Sequence, residues 1–194
     1  MLAGLKLPTD PRWVNLAEKE IEDILTDHAY CEQKAASNAI SIIQMFPEHE
    51  DVVDALIPLV TEEWGHFKMV VDQLKKRNLK LGRQRKDIYV NRILSFAKKG
   101  GSRGDLLLEK LLISALIEAR SCERFRLLSI EINDEELRKF YKKLMISEAG
   151  HFRMFLDLAI KYFPKDKVMN RWDEYLAHEE EVLSNIDLRG DRMH

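Results

Sequence analysis

The sequence predicts an all-α fold, and three observations carry that prediction. Strand-favouring β-branched residues are scarce, with three Thr and nine Val among 194 residues. Apolar residues recur at three- and four-residue spacing over long stretches. Gly and Pro number 8 and 5, too few for a loop-rich sandwich, a collagen-like chain or a linker. A hydrophobic share of 45 % supplies a core for a single domain over residues 1–194 and is too high for a disordered chain.

Local signals define each element. Asp10-Pro11 offers a cap and a first-turn proline for a helix over residues 11–46. Its apolar face carries Ile21, Leu25, Ala29, Ala36, Ala39 and Ile42. A second helix over 51–77 starts near Glu50-Asp51 and holds Pro58, whose missing N–H and ring clash predict a kink or a broken first turn. Residues 78–104 form a crossover with a short helix from Asp87 to Lys99, closed by the breaker Lys99-Gly100-Gly101-Ser102-Arg103-Gly104. Asp105 caps a third helix over 105–132, Asn133-Asp134 turns the chain, and a fourth helix covers 135–163. An amphipathic helix over 166–186 follows, and the tail DLRGDRMH reads as loose. Short turns force antiparallel neighbours, and the long crossover can return the chain along a bundle. The layout is a four-helix bundle with one long connection and an extra C-terminal helix, the ferritin-like arrangement.

Composition excludes several function classes. A formal charge of −2 is wrong for a uniformly basic nucleic-acid binder, although a local basic patch survives that test. No apolar run approaches the roughly 20 residues of a membrane span. The N-terminal stretch MLAGLKLPTDPRW has one basic residue before Arg12 and is broken by Pro8 and Pro11, unlike a signal peptide. Two cysteines make no disulfide framework. The expectation is a cytoplasmic protein with reduced thiols and no membrane partner.

The chemistry lies in a repeat. Residues 63–69 read Glu-Trp-Gly-His-Phe-Lys-Met and residues 148–154 read Glu-Ala-Gly-His-Phe-Arg-Met. Asp72 and Asp157 match at the same offset. With 19 Glu in the chain, one Glu-x-x-His pair would arise by accident, but here the only two lie in duplicated context. Residues three apart share a helix face, so each pair presents a carboxylate and an imidazole together. Each hairpin should add a carboxylate from its other helix, the pattern of di-iron and di-manganese bundle sites.

Glu32 is the candidate in the first helix, and Glu118 and Glu123 are candidates in the third. Glu32 lies 14 residues before Phe46 and Glu118 lies 14 before Ile132, whereas Glu123 is only nine before it. That places Glu123 roughly 7.5 Å off level at 1.5 Å per residue. Register therefore favours Glu118, with Glu123 as the alternative ligand or a neighbour of one. Four buried carboxylates need compensating cations, and oxygen-rich sites with imidazole suit iron or manganese better than structural zinc.

At these residues the sequence resembles the tRNA hydroxylases of the MiaE type. The matching stretches are Asp27-His28-Ala29, Cys31-Glu32-Gln33-Lys34-Ala35-Ala36, Glu63 to Phe67, Ile117-Glu118-Ala119-Arg120-Ser121-Cys122-Glu123-Arg124-Phe125, and Ser147-Glu148 to Phe152. The resemblance implies a non-haem di-iron monooxygenase with Glu32, Glu63, His66, Glu118, Glu148 and His151 as iron ligands. It implies two Fe ions, O2 and an external electron donor, either an electron-transfer protein or another reductant. The implied substrate is the isopentenyl side chain of 2-methylthio-N6-isopentenyladenosine beside the tRNA anticodon. The alternative is a ferritin- or rubrerythrin-like protein that oxidises iron or reduces peroxide. A rubrerythrin would carry a Cys-x-x-Cys iron domain, and this sequence has none.

Other residues carry lesser expectations. Lys75, Lys76, Arg77, Lys80, Arg83, Arg85 and Lys86 fall in a twelve-residue run without an acidic residue, with Lys98, Lys99 and Arg103 further along the crossover. They are candidates for tRNA phosphates, or a solvated connector. Arg120 and Arg124 are candidates for phosphate at a cavity mouth, or for salt bridges with nearby Glu. His28 lies one turn before Glu32 and could hydrogen-bond it. Cys31 and Cys122 read as small buried packing residues. Met45, Met69, Met145 and Met154 read as core filler, and Trp13, Trp172 and Tyr175 as packing for the end helices, with stacking on a base as the alternative.

Overall fold

The computed structural model describes residues 4–194, so the first three residues of the N-terminal stretch lie outside it. Among the described residues there are seven helices and no strand. None of the helices is long and apolar enough to cross a membrane. The chain divides into two compact units, one of Pro11–Lys86 with Leu188–Met193, the other of the N-terminal stretch through Asp10 with Asp87–Asp187 and His194.

The first unit holds α1 (Arg12–Lys19), α2 (Ile21–Met45) and α3 (Glu50–Lys76). The single first helix expected over 11–46 is broken, because Glu20 leaves helical geometry at φ −126°, ψ 42°. Asp10 is not the cap; Pro11 holds that place without a side-chain hydrogen bond. The α2–α3 hairpin buries Ile24, Leu25, Ala29, Ala36, Ala39 and Ile42 from one helix and Val52, Leu56, Leu59, Val70 and Leu74 from the other. Contrary to a broken first turn, α3 runs unbroken through Pro58, which is exposed. It stops where Asn78 takes a left-handed φ of 56°. The Leu79 N–H then donates to the Leu74 carbonyl at 2.9 Å and the Asn78 N–H to Lys75 at 3.0 Å, a Schellman closure.

The tail is docked, not loose. Asp191, Gly190 and Met193 are buried. Arg85 donates to Asp191 at 2.8 Å, and Arg192 donates to Asp27 at 2.8 Å. A Cβ on Gly190 would lie 2.3 Å from the Leu16 carbonyl carbon, so only glycine lets the tail approach α1 this closely.

The second unit holds α4 (Ile88–Ser95), α5 (Arg103–Glu131), α6 (Glu135–Tyr162) and α7 (Lys165–Ser184). The crossover helix is shorter than the expected Asp87–Lys99, with Asp87 accepting from the Val90 N–H as its cap. Ser102, not Asp105, caps α5; Asp105 is the reciprocal partner of a capping box. Gly100 and Gly101 enter that cap at φ 83° and 92°. Asp134 caps α6. Helix α5 is buried almost all round, which is why its apolar pattern is less one-sided than a surface helix requires. Trp172 and Tyr175 of α7 are buried, as is Trp13 of α1.

Candidate metal centre

Each unit brings two carboxylates and one imidazole together. In the first, α2 supplies Glu32 and α3 supplies Glu63 and His66, all buried. Each offers one ligand atom within 4.8 Å of the others. His66 Nδ1 lies 3.4 Å from Glu63 Oε2 and 3.6 Å from Glu32 Oε2. Burial alone would push the imidazole pKa down. Hydrogen bonding and charge from Glu32 and Glu63 override it and lift His66 to about 10. The two carboxylates therefore favour positive charge at this triad. His28, one turn before Glu32, hydrogen-bonds Glu32 Oε1 at 2.6 Å.

In the second unit, α5 supplies Glu118 and α6 supplies Glu148 and His151, again buried and with ligand atoms within 4.8 Å of one another. His151 Nδ1 lies 3.8 Å from Glu148 Oε2. Glu123 is turned elsewhere: it accepts from the Thr9 N–H at 3.1 Å, from the Thr9 hydroxyl, and from Arg120 at 3.1 Å. Cys122 is buried, and its thiol donates to the Met145 carbonyl at 3.2 Å. Burial, then the Glu148 and Glu123 charges, push that thiol up to about 12, so it stays protonated.

Other expectations fare unevenly. Arg120 and Arg124 are both buried, and Arg120 makes the expected alternative contact, a salt bridge with the nearby Glu123 at 3.1 Å. Arg120 donates to both oxygens of Glu179 at 2.7 and 2.9 Å and to the Leu7 carbonyl at 2.8 Å. Burial and the neighbouring Arg120 charge push Arg124 down to about 10. Cys31 is half-buried, not buried. Met45, Met69, Met145 and Met154 are half-buried side chains, not core. Lys75, Lys76, Lys80, Arg83 and Lys86 are exposed, whereas Arg77 is tied to Gln73 and Arg85 to Asp191.

Sequence reasoning missed two buried ionic clusters of the second unit. Glu179 meets Arg120 and Tyr89, and Glu109 meets Arg171, Tyr175 and the Lys98 N–H. Glu109 had a signal: with Lys110 it interrupts the leucines of residues 106–112 of α5. A buried acid there demands a cation, and Arg171 is it.

The triads suit a transition metal. An ion about 2.1 Å from two ligand atoms holds them at most about 4.2 Å apart. The ligand atoms of each triad lie within 4.8 Å of one another, so small side-chain movements suffice. Oxygen with imidazole is a donor set for iron or manganese.

Comparisons with known proteins agree with this chemistry. The model of the family described as tRNA-(MS[2]IO[6]A)-hydroxylase (MiaE) matches residues 1–194. The tRNA 2-(methylsulfanyl)-N(6)-isopentenyladenosine(37) hydroxylase of Pseudomonas putida is 34 % identical over 95 % of this chain and 89 % of its own. The protein of the same name from Salmonella typhimurium is 26 % identical over 86 % of this chain and 78 % of its own. A solved Synechococcus protein with aldehyde deformylating oxygenase activity is similar at TM-score 0.91 and 32 % identity, over 98 % of this chain and 94 % of that one. The likeness, with seven helices and no strand among the described residues, gives the fold class as all-α and ferritin-like.

Proposed function

The chain belongs to the MiaE family of tRNA hydroxylases, and from that premise we propose that it hydroxylates the isopentenyl group of 2-methylthio-N6-isopentenyladenosine beside the tRNA anticodon. It is an oxygenase. A tRNA substrate assigns its work to the cytoplasm. The observation that carries the reading is the pair of buried Glu-Glu-His triads in a chain that matches this family over its whole length.

Glu32, Glu63, His66, Glu118, Glu148 and His151 would together hold two irons. Bound there, the irons would supply the oxidising power that, with O2, two electrons from an external donor and two protons, places one oxygen atom on a C–H bond and releases the other as water. The protein's own part is to hold the ligands and exclude water. The carboxylates and imidazole of each triad supply the oxygen and nitrogen donors a divalent ion needs, and His28 fixes Glu32 through its hydrogen bond. The exposed Lys75, Lys76, Lys80, Arg83 and Lys86 attract phosphate, so tRNA binding should weaken with salt.

Iron-loaded protein, reductant and air are incubated with tRNA bearing the isopentenylated base, and the digested nucleosides are weighed. A gain of one oxygen on the isopentenyl group supports the proposal; an unchanged mass with iron-loaded protein overturns it. A parallel incubation with an aldehyde tests the activity named for the Synechococcus protein. Loss of the formyl carbon there, with tRNA untouched, would favour that chemistry instead.

A further inference from the structure

The two copies of the repeat share their Glu, Gly, His, Phe and Met, but Trp64 of one corresponds to Ala149 of the other. Helix packing therefore has no general need for an indole at this position. Trp13 and Trp172 are buried, whereas Trp64 is 55 % exposed. Its ring is nevertheless held in place, stacked on Phe67 at 4.9 Å between centroids and 19° between planes. An exposed, pre-oriented aromatic face offers a flat partner a stacking surface.

The platform's place on α3 identifies that partner. At about 100° per residue, Phe67 lies about 40° and Trp64 about 100° round the helix from Glu63, so the rings flank the ligand-bearing face. Lys68 and Lys75 stand four and eleven residues beyond Trp64 on the same stripe, both exposed. The exposed Lys76 and Lys80 continue the positive charge. Aromatic faces followed by cations recognise single-stranded nucleic acid, whose bases stack while its phosphates pair with the lysines.

We propose that Trp64, backed by Phe67, is the platform on which an unpaired base of the tRNA anticodon loop stacks, with Lys68 and Lys75 on the adjoining phosphates. This rests on the tRNA hydroxylase reading. The same platform could instead seat an electron-donor protein or a second copy of this chain, and the experiment separates those occupants.

Because the other two tryptophans are buried, fluorescence quenching by acrylamide reports on Trp64. An anticodon stem-loop RNA bearing the isopentenylated adenosine is titrated into iron-loaded full-length protein. The RNA should quench Trp64 and shield it from acrylamide. Trp64→Ala should weaken RNA binding about tenfold or more. Trp64→Phe should keep most of the affinity, and both variants should retain wild-type iron content and helicity. Wild-type RNA affinity in Trp64→Ala overturns the platform and leaves the hydroxylase reading standing. Shielding of Trp64 by raised protein concentration or by a reductase alone, with none from RNA, also overturns it. Wild-type protein that carries iron yet neither binds nor oxidises the RNA overturns the hydroxylase reading, and the platform with it.

Discussion

His28 Nε2 and Glu32 Oε1 are 2.6 Å apart and both groups are buried, so the imidazole fixes which way the carboxylate points. Replacing it by Phe keeps the bulk and removes only the hydrogen bond. His28→Phe should therefore lower iron affinity by about 10- to 100-fold without unfolding α2, as loss of a partner behind a metal ligand does. Competition with a chelator, read by iron absorbance, measures this; unchanged affinity would remove His28 from the site. At this scale legibility depended on sequence distance. Glu63 with His66, and Glu148 with His151, are visible because three residues on a helix are always neighbours. The choice between Glu118 and Glu123 needed register, and the structure places Glu118 with Glu148 and His151. For Arg120 the bridge to Glu123, three residues on, was readable, but its partners Leu7 and Glu179, 113 and 59 residues away, were not.

Among elements, two ionic contacts hold pieces that periodicity left unassigned. Arg120 ties α5 to α7 through Glu179, with both side chains fully buried. Removing one partner strands a charge, so Arg120→Met should destabilise the protein by about 3–5 kcal/mol. Arg120→Met with Glu179→Leu should recover much of that loss, as urea denaturation would show. The salt dependence of RNA binding should not change, which separates this role from a phosphate contact. The tail offers a pH test. Arg189, against the opposing effect of burial and with further help from Arg85 and Arg192, holds the Asp191 carboxyl below its ordinary 3.8. A lowered folded pKa means the stabilisation is present above about pH 3.8 and is lost as pH falls further. Wild type should exceed Asp191→Asn by about 1–3 kcal/mol at neutral pH. That gap should narrow below pH 3.8, with hydrogen exchange rising first in residues 188–193. Equal stability of the two at neutral pH would deny the tail its anchoring role. A loose tail was the reasonable expectation from DLRGDRMH, because its anchors Arg85 and Asp27 lie more than a hundred residues earlier.

Over the whole molecule, helix order and turn positions were legible because long periodic stretches ended at Pro, Gly or Asn-Asp signals. The break at Glu20 was not, as Lys19-Glu20-Ile21 contains no breaker. The proposed ligand set has a consequence of its own. Four carboxylates and two imidazoles offer at most ten donor atoms, counting both oxygens of each carboxylate. Two six-coordinate irons have roughly twelve positions, so about two stay open for dioxygen whether each triad keeps its own ion or the carboxylates are shared between both. Sharing couples the two triads, whereas separate triads would each bind one ion independently. The charges lead to the same contrast: two divalent ions balance four carboxylates, and deleting one carboxylate unbalances both ions only if the site is shared. Glu63→Ala and, separately, His151→Ala should therefore each lose most of both irons, although each damages only one triad. Iron analysis on purified protein, with circular dichroism to show that the helices persist, decides it. A variant that keeps one iron at wild-type affinity would mean two mononuclear sites, and a di-iron oxygenase could not be built from them.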